Sequence, residues 1–206
     1  MKTLSHLTAS LVIGSFAALF VGCAPNKVID PTTEQGITSV GQVDIQDFSR
    51  AANDMATDLL KSPILAKYGP DRQAVLAISL IENRTSAQLD TDLLVKRIRM
   101  ALINSGKFTT STVVAAGAAE DPLVRENRNL RKDDEFDQAT IAAKGTLKAP
   151  DFTLSGKIID VKVRDGHLRQ ASYDFQLSLT DKNTGTAVWE GLKAITKQGR
   201  HNAVSW

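Results

Sequence analysis

The sequence has few of the residues from which catalytic and metal sites are usually built. It contains one cysteine and three histidines in 206 residues. The single cysteine, Cys23, excludes an intrachain disulfide and a cysteine-based metal site. The histidines are scattered over the N-terminal apolar segment, a predicted hairpin turn and the C-terminal tail, at His6, His167 and His201. We therefore predict no Ser-His-acid catalytic site, no metal site and no cofactor.

Aromatic residues and charge of one sign are also scarce. Phe, Trp and Tyr make up 5% of the chain, and 25 Lys and Arg are balanced by 23 Asp and Glu. A nucleic-acid surface would need stacking aromatics or excess positive charge, and a phosphate site would need a glycine-rich loop. Neither nucleic acid nor a small-molecule substrate is expected.

Acidic side chains in residues 82–92 are the remaining candidates for catalysis. Glu82, Asp90 and Asp92 could form a carboxylate pair. A structural role is the simpler interpretation, because Asp90 or Ser86 can cap the helix that follows and Asp92 would lie in its first turn. The protein is accordingly not expected to be an enzyme.

The N-terminus has the most specific signal in the sequence. A positive start precedes an apolar stretch at residues 7–21, and Gly22–Cys23 follows. This order resembles a lipoprotein signal peptide, in which the cysteine becomes the first mature residue and is acylated. The resemblance implies lipidation of Cys23, and Ala24 implies sorting to the outer membrane, facing the periplasm. The alternative is an uncleaved apolar anchor, although a spanning helix needs about 20 residues.

The chain after the predicted signal peptide, residues 1–22, divides into a tether, one domain and a tail. Residues 23–43 hold the cysteine followed by prolines and glycines without a hydrophobic period, which is typical of a flexible tether. About 20 such residues reach at most roughly 70 Å. We assign residues 44–200 to a single globular domain and residues 201–206 to a tail.

The domain is predicted to open with an amphipathic helix over residues 44–61, which ends at Ser62–Pro63. Its polar face, expected to point outward, is mostly acidic and carries Asp47, Asp54 and Asp58. This charge favours a helix docked on the protein's own core over a helix lying on a membrane surface.

Residues 74–108 form the unit around which the domain is organised. The apolar run at 74–81 predicts a buried strand. The polar residues 82–85 that follow predict a bend between this strand and the next helix, which we call the elbow. Apolar spacing over residues 89–104 predicts a helix, which Gly106 closes in the left-handed conformation. Residues 109–114 are rich in β-branched side chains and predict another strand.

The last third of the domain has the clearest β pattern. Apolar and polar residues alternate over 171–180, and a turn leads into a second strand at 186–196. Arg164–His167 is the predicted hairpin turn before them. In the strand that precedes this turn the apolar residues change parity, which predicts a β-bulge near Ile158–Ile159.

We therefore expect an α+β fold behind a signal peptide and a short flexible tether. Its sheet is predicted to be mostly antiparallel and packed by helices. A C-terminal three-stranded meander would be covered by helix 89–104, and strand 74–81 would complete the sheet.

A charged stretch lies between the predicted strands. Residues 123–129 and 135–144 are predicted to be helical, with weak apolar stripes, and positive charge gathers at Arg125, Arg128 and Arg131. This group could be a basic rib for an acidic partner. It could equally be a solvated helix face beside a polar linker.

The order of strand, Asn-Arg-Thr, helix and Asn-Ser-Gly-Lys-Phe in residues 75–108 resembles the globular domain of the LpoB type of outer-membrane lipoprotein activators of class A penicillin-binding proteins. The similarity extends over about residues 44–197, with less specific matches at Asp181, Thr184–Gly185 and Val188–Trp189. It implies a protein that docks on an accessory domain of a peptidoglycan synthase and activates it, without chemistry of its own. It would thereby regulate cell-wall synthesis.

We name six candidate contacts with such a partner: Asn83, Arg84, Thr85, Arg125, Arg128 and Arg131. Arg84 presents a rigid fork of donors at the elbow. The alternative is that Asn83 and Thr85 satisfy backbone groups while Arg84 is solvated. Another function for the same fold would be a structural lipoprotein of a trans-envelope assembly, secretory or flagellar.

Overall fold

The computed structural model describes residues 29–30, 43–116 and 120–200. The predicted signal peptide, Cys23, most of the predicted tether and the tail lie outside the described residues. The helices are α1 (Ile45–Lys61), α2 (Thr91–Asn104) and α3 (Leu123–Asn129). The strands are β1 (Ala74–Arg84), β2 (Phe108–Thr110), β3 (Phe152–Asp165), β4 (Leu168–Asp181) and β5 (Thr186–Arg200).

The five strands form one sheet in the order β2-β1-β3-β4-β5. β1 runs parallel to both β2 and β3, whereas β3, β4 and β5 pair antiparallel in succession. The predicted α+β class is confirmed, but the sheet is mixed rather than mostly antiparallel. The difference arises because α2 connects β1 to β2 as a crossover, which returns the chain to the same end of the sheet and makes the two strands parallel.

Both long helices pack on one face of the sheet, but α1 covers the C-terminal strands in place of α2. Phe48 of α1 meets Phe175 of β4 edge to face, with ring centroids 5.8 Å apart. α2 lies instead over β1 and β2, the strands that it connects. Phe175 and its neighbour Tyr173 are fully buried beneath α1, so the alternating pattern of β4 is confirmed as a core face.

The acidic face of α1 points outward only in part: Asp54 and Asp58 are exposed as predicted, whereas Asp47 is buried. The whole face lies beside β5. The side chains of the two elements pair in order along their length: Lys197 with Asp44 (2.9 Å) and Asp47 (2.5 Å), Lys193 with Asp54 (2.5 Å), and the Trp189 indole N–H with Asp58 (3.0 Å). Asp44 is also the N-cap of α1 and forms a capping box with Asp47. The helix is docked on the protein's own core, as its charge indicated.

The predicted bulge at Ile158–Ile159 is wrong. β3 pairs with β4 without interruption from Phe152 to Asp165, and the irregularity lies in β1, between Ile78 and Ile81. The parity of β3 changes for another reason. β3 continues past the end of β1, and there its apolar residues Val161 and Val163 lie on the face opposite the core. They are 54% and 51% exposed.

Two elements of the segment between β2 and β3 are shorter than predicted. β2 ends at Thr110, since the Ser111 hydroxyl accepts the backbone N–H of Val114 (3.0 Å) and turns the chain. The predicted helix 135–144 forms only a 3₁₀ turn at Gln138–Thr140. There the Gln138 amide donates to the carbonyl of Asp133 (2.7 Å), and such local bonds compete with a helical ladder.

Candidate partner-binding surface

The elbow between β1 and α2 is built mainly by its own side chains. β1 continues to Arg84, so Asn83 and Arg84 end the strand. The Asn83 side-chain oxygen accepts from the Thr85 backbone N–H (2.9 Å) and hydroxyl (2.7 Å), while its amide donates to the carbonyl of Ala87 (2.9 Å). Asn83 and Thr85 therefore fix the backbone of the elbow, as the alternative interpretation proposed.

Three side chains join the elbow to β3, and we call Ser86, Asp160 and Lys162 the elbow latch. The Ser86 hydroxyl donates to Asp160 at 2.7 Å, and its backbone N–H lies 3.3 Å from both carboxylate oxygens. Lys162 donates to the Ser86 hydroxyl and lies 3.4 Å from Asp160. The latch fixes the distance between the elbow and the sheet, although its partners lie far apart in sequence.

Neither Asp160 nor Lys162 was predicted as a site residue, although the alternation of side chains along β3 points to both. The core side of this strand is occupied by Phe152, Leu154 and Ile158, and the same parity continues to the two charged residues. Polar residues at positions that face the core need hydrogen-bond partners, because burying an unpaired polar group is costly. Burial disfavours the ionised carboxylate of Asp160, but the bonds from Ser86 and the charge of Lys162 outweigh it and hold its pKa below the ordinary 3.8.

Asp160→Asn is expected to lower the free energy of unfolding by about 1.5 kcal/mol at pH 7, because a charged hydrogen-bond acceptor is lost. The wild-type carboxylate has a lowered folded pKa, so its stabilisation is complete above about pH 5 and is lost progressively as the pH falls through the unfolded and then the folded pKa. Urea unfolding at pH 7, 4 and 2.5 should show the gap between wild type and variant closing. A stability difference between wild type and Asp160→Asn that does not change with pH would contradict this account. An equal stability difference for the control Asp71→Asn, at an exposed position, would also contradict it.

The face of the sheet opposite α1 and α2 bears a shallow groove of about 670 Å³, which we call the open-face groove. Its walls come from β1, β3, β4 and β5, and its polar lining includes Lys157 and Gln176. Two large apolar side chains line it from either side, Leu80 at 55% and Leu192 at 66% exposure. The groove therefore combines exposed apolar area with polar and charged groups on one concave surface.

Arg84 lies at the rim of the open-face groove. Its guanidinium bonds to the Glu82 carboxylate through two nitrogens, at 2.7 and 2.6 Å, and its side chain remains 60% exposed. An ion pair this exposed contributes little to stability. The arginine can therefore exchange its partner for a carboxylate of another protein at low cost.

The three predicted arginines of the charged stretch donate hydrogen bonds to neighbouring segments of the chain. Arg125 donates to the carbonyl of Val113 (2.9 Å), and Arg131 to the carbonyl of Ala142 (2.6 Å). Arg128 reaches the carbonyl of Ala143 and the hydroxyl of Thr146. These bonds tie α3 to the segments before and after it, so the guanidinium groups have a structural role that the sequence did not reveal.

The acidic residues near the elbow do not converge. Asp90 caps α2 by accepting the backbone N–H of Asp92 (2.9 Å), and Glu82 pairs with Arg84. Within residues 43–116 and 120–200, no group of three or more His, Cys, Asp or Glu could hold a metal ion. No helix in the described part of the chain is both long and apolar enough to cross a membrane.

Comparison with known proteins gives one family match. The family model described as peptidoglycan-synthase activator LpoB matches residues 47–195, which is more than half of the chain. A search of curated proteins found no match. Among solved structures, the LpoB C-terminal domain from Salmonella enterica is similar, with 17% identity, a TM-score of 0.42, and coverage of 72% of this chain and 98% of that one. The NMR structure of E. coli LpoB gives 14% identity, a TM-score of 0.40, and coverage of 97% and 95%.

Proposed function

The chain belongs to the LpoB family of peptidoglycan-synthase activators, and on this basis we propose that it activates a class A penicillin-binding protein by binding an accessory domain of that synthase. The observation that carries the proposal is the family match, which runs from α1 into β5. It favours an activator over a structural lipoprotein of a trans-envelope assembly.

The proposed activation is a shift of the synthase between two states. An activator without chemistry of its own must bind the active conformation more tightly than the resting one. A tenfold preference for the active state corresponds to about 1.4 kcal/mol of differential binding. A few well-placed contacts on a fixed surface can supply that difference, and no catalytic residue is required.

We propose the open-face groove as the contact surface, with Arg84 as its charged anchor. Arg84 is exposed and held at the rim, and Leu80 and Leu192 offer apolar area beside it. In this proposal Asn83 and Thr85 act by positioning Arg84. Arg125, Arg128 and Arg131 act by shaping the segment around α3, which would form a second edge of the interface.

The proposal places the protein on the outer membrane, facing the periplasm, through acylation of Cys23. The tether between Cys23 and the start of α1 would span at most roughly 70 Å when extended. This length sets how far the domain can move from the membrane to meet a synthase.

Arg84→Glu is expected to weaken binding to the synthase at least about tenfold, because it removes a cation and places like charge beside Glu82. Binding of the domain to a purified class A penicillin-binding protein from the same organism can be measured by isothermal titration calorimetry. Arg50→Glu, on the exposed side of α1, makes the same charge change and is expected to alter the affinity less than twofold.

Two outcomes would count against the proposal in different ways. Equal affinities of the two variants would remove the open-face groove as the contact surface. Absence of binding between the wild-type domain and an active synthase would contradict the proposed function itself.

A further inference from the structure

A second groove, which we call the tether groove, lies between the start of α1 and the elbow that leads into α2. Its volume is about 450 Å³, and its lining is mostly apolar, with Val43, Phe48, Leu89 and Leu93 among the residues. Val43 and Phe48 belong to the buried core, and Leu89 packs against that core. The tether groove is therefore a place where the apolar core continues to the protein surface.

Ile29 of the N-terminal segment lines the same groove. This isoleucine is 37% exposed, although the sequence around it has the composition of a flexible tether. Contact with the groove removes apolar surface of both partners from water, which favours the docked position.

We propose that the tether groove is a docking site for the chain's own N-terminal segment around Ile29. The occupant is covalently attached to the rim of the groove, because the chain runs on from Ile29 to Val43. A connection as short as the 13 residues between Ile29 and Val43 gives an effective concentration on the order of millimolar. A weak apolar contact is then enough to keep the segment docked for much of the time.

Docking at Ile29 changes the reach of the domain. Only about six residues separate Cys23 from the docked isoleucine, and they span at most roughly 20 Å, compared with roughly 70 Å for the whole tether. The docked state holds the domain close to its anchor, and release lets it extend by about 50 Å. This consequence rests on the proposed acylation of Cys23, whereas the docking itself does not.

The contact is tested by cysteine crosslinking in the chain from Ala24 to Trp206, which retains every described residue and contains no other cysteine. The pair Ile29→Cys with Leu93→Cys is expected to form a disulfide about tenfold faster than the pair Ile37→Cys with Leu93→Cys. The control places the thiol at another tether isoleucine. Equal rates in folded variants would overturn the proposal, and Leu89→Cys replaces Leu93→Cys if the latter unfolds the domain.

The reach is tested with the full lipoprotein in vesicles of phosphatidylethanolamine and phosphatidylglycerol. A donor dye on Asn183→Cys, in the exposed β4–β5 turn, transfers energy to an acceptor on the lipid headgroups. Ile29→Asp is expected to lower the transfer efficiency, and Ile37→Asp to leave it unchanged.

Unchanged transfer in Ile29→Asp, with acylation verified by mass spectrometry, would overturn the effect on reach. An equal fall of the transfer efficiency in both variants would also overturn it, because a negative charge anywhere in the tether would then have the same effect. A chain without an acyl group on Cys23 would contradict the proposed anchor instead, and the crosslinking rates would still decide whether the segment docks.

Discussion

Replacing Lys197 with methionine is expected to lower the free energy of unfolding by about 3 kcal/mol. The ammonium group lies between the carboxylates of Asp44 and Asp47, and its side chain is 14% exposed. The Asp47 side chain is only 5% exposed. Without Lys197, the neighbouring carboxylates of Asp44 and Asp47 would have no cation between them, and Asp47 would stay buried. The ion pairs that join the start of α1 to β5 would be lost. Urea unfolding followed by circular dichroism measures the loss.

The matched control is Lys193→Met, on the same face of β5. Lys193 pairs with Asp54 of α1 at 2.5 Å, but the side chains are 36% and 47% exposed. Exposed pairs contribute at most about 1 kcal/mol, so the control should unfold nearly as the wild type does. Similar losses in the two variants would contradict the claim that burial, rather than the ion pair itself, makes the Lys197 contact strong.

Gly156→Val is expected to destabilise the domain by about 3 kcal/mol. A Cβ atom at this position would overlap the backbone carbonyl oxygen of Gln176 and would lie 2.6 Å from Cδ2 of Leu177. The carbonyl belongs to the β3–β4 ladder and cannot move without breaking it. The valine therefore forces β3 and β4 apart beside the point where the register of β1 shifts.

Gly69→Ala is the control for the glycine substitution. No heavy atom lies within 4 Å of the position of its Cβ, so the alanine should change the stability by less than about 0.5 kcal/mol. Thermal unfolding of both variants gives the comparison. A Gly156→Val protein as stable as Gly69→Ala would show that the strands can separate at this point without cost.

Much of the elbow could be predicted from the sequence because its bonds are local. The interpretation of Asn83 and Thr85 as backbone partners needed only the known preference of such side chains for turns. Asp90 was one of two predicted caps for α2, and the helix begins directly after it. The bonds of Ser86 to Asp160 and Lys162 join positions more than 70 residues apart, and only the parity of β3 hinted at them.

The position of α1 shows the same limit at larger scale. The apolar period located the helix and its buried face, but it could not say which strand would meet the acidic face. That strand, β5, comes last in the chain. Lys193 and Lys197 lie on one face of this strand, but an exposed strand without a partner helix can have the same spacing of lysines. The pairing becomes visible only when the strand order is known.

The glycan polymerisation rate of a purified class A penicillin-binding protein, titrated with the domain, tests the central claim most directly. We expect the rate to rise to a plateau with the wild-type domain and with Arg50→Glu. With folded Arg84→Glu, the same rise should need at least about ten times more protein. A competent synthase whose rate does not change at any concentration of the wild-type domain would contradict the activator function.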